Sequence, residues 1–152
     1  MPYSGYLISP PTTIFCAGSS VYDFYAFDTS LETFAELPDM PVGHTQAVCG
    51  IGIHPTDGPE FVIAGNIDEI DVYNFNSGTW GRYGLLVRSP AGAAYTQYGD
   101  TFLFMGGSVT DNAVYEYDPE SRSFFQRSET VTGDGGEDPF ALVIDGTTLN
   151  CL

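Results

Sequence analysis

Lysine is absent from this 152-residue chain, and arginine occurs only as Arg82, Arg88, Arg122 and Arg127. Against those four cations stand 20 Asp and Glu, for a formal net charge of −16 at pH 7 and a pI near 4.1. A chain so short of positive charge repels phosphate backbones and anionic lipid surfaces, which argues against nucleic-acid and membrane partners. Surface helices normally carry Lys and Glu along a solvated face, and no segment has that composition. No apolar run approaches the ~20 residues that a membrane helix needs. The opening residues, Met1-Pro2-Tyr3-Ser4-Gly5, include no basic stretch, so no signal peptide is expected. None of Asn66, Asn74, Asn76, Asn112 and Asn150 begins a glycosylation sequon. Cysteine is sparse too. Cys16, Cys49 and Cys151 are odd in number, and each lies in an apolar stretch, so buried thiols are expected rather than a disulfide framework.

What the chain does hold is turn formers and aromatics, with 18 Gly and 10 Pro beside 10 Tyr and 11 Phe. That mixture favours strands joined by tight turns. The strands recur. Ile14-Phe15-Cys16-Ala17-Gly18, Phe61-Val62-Ile63-Ala64-Gly65 and Leu103-Phe104-Met105-Gly106-Gly107 are short apolar runs closed by small residues, with final glycines 47 and then 42 residues apart. A second element follows each: Tyr25-Ala26-Phe27-Asp28, Tyr73-Asn74-Phe75-Asn76 and Tyr115-Glu116-Tyr117-Asp118. Aromatics two apart share one sheet face, and the closing Asp or Asn is suited to start a turn by bonding the backbone. After the turn comes a third element, the aromatic Phe34, Trp80 or Phe124, expected to point back toward the core; on this alignment the middle turn is two residues shorter than the others. A small-residue strand precedes each glycine pair, as in Ala93-Ala94-Tyr95-Thr96-Gln97-Tyr98. Four strands repeating at about 45 residues is the signature of a propeller blade.

The order glycine pair, Tyr, then Trp or Phe resembles the kelch repeat, and the segment Leu37-Pro38-Asp39-Met40-Pro41-Val42-Gly43-His44 is similar to a kelch linker. The resemblance implies an all-β chain: a kelch-type β-propeller fragment of four-stranded antiparallel blades, as a single partial propeller over 1–152. Its repeats fall at about 3–36, 45–83 and 92–127, with a half repeat at 139–152. Cys16, Met105 and Cys151 then occupy one blade position. Three and a half blades cannot close a disc, because propellers use four to eight. An open arc, a fragment or a module needing a partner is therefore expected, prone to self-association through its open blade edges.

Sites for chemistry are few. His44, Cys49 and His54 form a His-x4-Cys-x4-His pattern, but a five-residue step along a strand reverses the face, so they are not expected to converge on a metal. Asp134, Glu137 and Asp138 lie on a glycine-rich loop without EF-hand spacing, and Asp68, Glu69 and Asp71 read as a solvated hairpin tip. Asn76-Ser77-Gly78-Thr79-Trp80 departs from the sialidase Asp box in its Gly spacing and lacks the Asp. No catalytic residue, cofactor or metal is assigned. The resemblance implies a non-catalytic protein-interaction module that binds a protein partner through the loops at 19–23, 66–71 and 108–112 and the linkers at 39–44, 82–89 and 127–138. The residues expected to contribute are Arg82, Arg88, Asn66, Asp68, Ser108, Asp111 and His44. The alternative is part of the propeller domain of a larger galactose-oxidase-like metalloenzyme, or of an extracellular kelch protein, with the active residues elsewhere.

Overall fold

Alternating apolar residues broken every few positions by Gly, Pro, Asn or Asp dictate short strands, and the computed structural model contains fourteen of them and no helix among the residues described, which are 5–9, 13–17, 21–84, 89–106, 113–130, 142–145 and 148–151. Sheet 1 comprises β1 (Gly5–Ser9), β2 (Thr13–Ala17), β3 (Phe24–Asp28) and β4 (Thr33–Leu37). Sheet 2 comprises β5 (Val48–His54), β6 (Gly58–Ala64), β7 (Ile70–Asn74) and β8 (Thr79–Tyr83). Sheet 3 comprises β9 (Ala93–Tyr98), β10 (Thr101–Gly106), β11 (Ala113–Asp118) and β12 (Ser123–Thr130), and sheet 4 pairs β13 (Leu142–Asp145) with β14 (Thr148–Cys151). Every pairing is antiparallel between consecutive strands, so each sheet is a meander. The first strands of successive sheets lie against one another, β1 on β5, β5 on β9 and β9 on β13.

The core lies between sheets. Phe15, Ala17 and Phe24 of sheet 1 meet Cys49, Phe61, Ile63 and Tyr73 of sheet 2, with Trp80 packed alongside. The other face of sheet 2, through Val48, Val62, Ala64, Ile70 and Val72, meets Phe102, Phe104, Tyr115, Tyr117 and Phe124. The first strands leave an edge of backbone groups that sheet pairing does not use. On β5 the Gln97 side chain fills part of it, accepting from Ile51 N (3.1 Å) and donating to Ile51 O (2.9 Å).

The three units repeat more regularly than their sequences. The β3–β4, β7–β8 and β11–β12 turns all have four residues, 29–32, 75–78 and 119–122. Each opens on a side chain that bonds the turn backbone: Asp28 to Ser30 and Leu31, Asn74 to Asn76 and Ser77, Asp118 to Glu120. Each closes on a left-handed residue, Glu32 (φ 53°), Gly78 (φ 68°) and Arg122 (φ 50°). The middle turn is therefore not shorter; its strand ends two residues earlier, at Asn74 rather than Asn76. Accordingly Trp80 stands opposite Tyr73, where Phe34 stands opposite Phe27 and Phe124 opposite Tyr117.

Two further expectations change with the register. Tyr25, Tyr73 and Tyr115 face different rungs, opposite Cys16, Phe61 and Phe104. Leu103 and Met105 belong to a cluster on the far side of sheet 3, so Met105 does not share the position of Cys16. Cys49 is a fully buried thiol, while the side chains of Cys16 and Cys151 lie outside the described residues. Trp80 and Phe124 pack inward, but Phe34 is 68% exposed, because its face of sheet 1 turns away from sheet 2.

Candidate functional site

In a meander the turns between first and second strands, and between third and fourth, share one end. The second-to-third connections and the linkers between sheets share the other. The described parts of the loops and linkers expected to bind a partner, 21–23, 39–44, 66–69, 82–84 and 89, therefore gather at one end. Hydrogen bonds tie that end together: Met40 N donates to Tyr22 O (2.7 Å), Thr45 N to Asn66 Oδ1 (3.1 Å), Ser89 Oγ to Gly65 O (2.8 Å) and Gly92 N to Gln46 O (2.9 Å). Each bond joins a linker to a loop or to the next linker, so the described segments of that end are connected to one another and not independent.

The expected contact residues are divided by this arrangement. Asn66 and Asp68 are exposed on the loop after β6. Arg82 is half turned inward, its Nε donating to Asp71 Oδ1 (2.9 Å) and its Nη1 lying 3.2 Å from Glu69. His44 is fully buried and offers no surface to a partner, because the linker folds it beneath Gly65. A Cβ at Gly65 would fall 2.8 Å from Thr45 O and 3.2 Å from His44 Cβ, so only glycine lets the linker lie so close. Arg88, Ser108 and Asp111 lie outside the described residues, as does the 134–138 loop. The same end exposes Val21 (47%) and Tyr22 (53%), two large apolar side chains on one loop.

Asp71 is not at a solvated tip but fully buried on β7. Its Oδ2 lies 2.8 Å from His44 Nε2, and Arg82 holds its other oxygen. Burial works to raise the Asp71 pKa, but the hydrogen bonds and charges of His44 and Arg82 outweigh it and hold the carboxyl below its ordinary value. An ionised Asp71 only accepts, so His44 Nε2 is the donor. His44 Nδ1 has no partner among the described residues. A depressed folded-state pKa contributes stability that is complete above the unfolded value of about 4 and is lost as pH falls through the folded value. The melting temperature of the native chain should exceed that of Asp71→Asn by a constant margin above about pH 5. The margin should narrow on acidification below that point, and a margin unchanged down to about pH 2 would show that Asp71 is not ionised by its neighbours.

A second ionic cluster joins sheets 2 and 3 near the opposite end. Glu60, fully buried on β6, accepts from Tyr117 Oη (2.7 Å) and Arg122 Nε (3.0 Å). Arg122 also donates to Asp57 (2.6 Å) and lies 4.8 Å over the Tyr83 ring. Burial and then the Glu60 carboxylate push the Tyr117 hydroxyl pKa up, so it stays protonated and donates. An open cleft of about 550 Å³ beside this cluster is lined by Asp57, Asn74, Asn76, Thr79, Tyr83 and Arg122. Its two amides already donate to Asp57 O, at 3.0 and 2.8 Å. His54 serves the same turn, with Nδ1 accepting from Asp57 N (3.1 Å), so His44, Cys49 and His54 act in three separate places.

Among these residues, Glu60, Arg122, Val21 and Tyr22 were not distinguished by sequence pattern. A carboxylate set directly before Phe61-Val62-Ile63 is the one available sign that Glu60 needs a buried partner. No protein-family model matches the chain, and no curated protein does either.

Proposed function

We propose that the chain is a non-catalytic protein-interaction module, built as an open arc of a kelch-type β-propeller, that binds a protein partner with the end carrying its linkers and second-to-third-strand loops. The propeller reading is supported by the succession of four-stranded meanders with their first strands side by side. One observation carries the binding reading. The loop end is cross-tied by backbone hydrogen bonds and yet leaves Val21 and Tyr22 in solvent. A rigid surface with an exposed aromatic is what a protein interface uses, because little conformational entropy is lost when it docks. The two buried ionic clusters have a sufficient role in joining neighbouring segments, and Asp71 and Glu60 are closed to any substrate.

The test is affinity capture with the immobilised chain, comparing the native protein with a Val21→Ser, Tyr22→Asp variant. A protein retained by the native chain should be lost from the variant while the melting temperature stays the same. Equal retention by both would place binding elsewhere.

A further inference from the structure

We infer that the outer face of sheet 1 is a docking surface for a basic polypeptide segment, one that lays aliphatic side chains on Phe27 and Phe34 and brings an Arg or Lys to Glu36. The surface adjoins the loop end through Asp23 and Asp39 but uses neither Val21 nor Tyr22, and its test varies Phe34 and Glu36, which the loop-end test leaves in place.

The internal repeat shows how such a face is covered. The face of sheet 2 bearing Tyr73 and Trp80 is covered by sheet 1, and the face of sheet 3 bearing Tyr117 and Phe124 is covered by sheet 2. Phe27 and Phe34 are the matching pair on sheet 1. Their rings lie 4.6 Å apart, Tyr25 meets Phe34 at 6.5 Å, and Phe34 remains 68% exposed. The chain therefore shows twice what such a face receives: a layer of largely apolar side chains.

Charge distinguishes the possible occupants of this face. On sheet 2 the next rung on the same face as Tyr73–Trp80 is Asp71–Arg82, two residues along, and His44 reaches Asp71 from the segment that precedes the sheet. The corresponding rung on sheet 1 is Tyr25–Glu36. Glu36, Asp23 and Asp39 are all exposed, and all three sit close enough to Tyr25 to push its hydroxyl pKa up, Asp23 most strongly. A cation arriving as His44 does on sheet 2 would enter this group of carboxylates. The chain has little with which to supply one: lysine is absent, and three of the four arginines, Arg82, Arg122 and Arg127, are each paired with a carboxylate, while Arg88 lies outside the described residues. A second copy would bring a further −16 charges and the same paired arginines, so complementarity selects a basic partner over self-association.

The probe is a labelled peptide alternating Val and Lys, titrated into the full chain and followed by fluorescence anisotropy. It should bind saturably, and Phe34→Ser and Glu36→Lys should each weaken it about tenfold or more without lowering the melting temperature. Phe125→Ser, at an exposed aromatic on sheet 3, should leave binding unchanged. Three results would each overturn the inference. These are equally tight binding of a Ser–Lys peptide, binding indifferent to Phe34→Ser, and a native dimer that Phe34→Ser disperses and the Val–Lys peptide does not compete with.

Discussion

Gly50→Ala should be among the most damaging single-methyl changes in this protein, lowering stability by about 3 kcal/mol or more. Gly50 lies on β5, opposite Val62, on the face turned to sheet 3. A Cβ there would come within 2.1 Å of both Cγ and Cδ1 of Phe102, and 2.7 Å of its Cβ. Cβ lies at the root of the side chain and Cγ on the axis about which the ring turns, so rotating the ring about the Cβ–Cγ bond does not relieve the overlap. Phe102 is fully buried, stacked on Tyr117 at 5.5 Å and edge-on to Phe124 at 5.4 Å. The new methyl must therefore push sheets 2 and 3 apart or displace three rings together, since a close-packed interior has no slack to absorb it. At roughly 2–4 °C per kcal/mol for a chain of this size, a thermal melt should show a fall of about 6 °C or more. Pairing the change with Phe102→Leu should cost less than the sum of the two single changes, because one relieves what the other causes. A Gly50→Ala protein as stable as the native chain would mean that the two sheets do not approach so closely.

That close approach also marks the boundary of what sequence could reveal. Strand existence, the meander order within each unit and the hairpin chemistry were legible, because period-two aromatics and Asp or Asn at turn starts act locally. Rung-by-rung register was not. Sliding an alignment by two residues keeps every side chain on its face, so nothing in the pattern of Tyr73-Asn74-Phe75-Asn76 tells whether Tyr73 or Phe75 matches Phe27. The deciding feature is the equal turn length, with Gly78 in the left-handed position. A slide of one residue exchanges the faces. Aligning Gly107 with Gly65 does this to β10, and it sends Phe104 to the wrong side, whereas the structure packs Phe104 against Tyr115 and Phe124, toward sheet 2. Asp71 was misplaced for a related reason. Asp68, Glu69 and Asp71 look alike as a run of acids, but only the last lies on β7, opposite Ile63. The docking residues were legible as loops and not as side chains. His44 belongs to a linker, yet its fate depends on Gly65 leaving room beneath the loop after β6.

Loss of Glu60 should have an effect as large as that of Gly50→Ala, and by the opposite route: it removes a partner instead of adding volume. Glu60→Ala would leave Tyr117 Oη and Arg122 Nε without the acceptor they share, the first fully buried and the second at the edge of the open cleft. Removing one member of a buried ionic group costs about 3–5 kcal/mol, because the remaining charge keeps its desolvation penalty and loses its compensation. Arg122 retains Asp57, whose carboxyl is 46% exposed, so the guanidinium is not wholly abandoned and the lower part of that range is expected. The same reasoning makes the result separable from simple loss of packing. A triple variant, Glu60→Leu with Tyr117→Phe and Arg122→Met, removes all three polar partners while keeping their bulk. It should be far more stable than Glu60→Leu alone, as is found when buried ionic groups are replaced together by apolar ones. Denaturant titration of the single and triple variants measures the difference directly. If Glu60→Leu alone were as stable as the triple variant, the cluster would not be acting as a unit. The join between sheets 2 and 3 would then rest on Phe102, Phe104 and Phe124 alone. If the triple variant recovers, the ionic group's contribution is to align β6 with the β11–β12 turn, since one carboxylate oxygen takes the Tyr117 hydroxyl and the other takes Arg122.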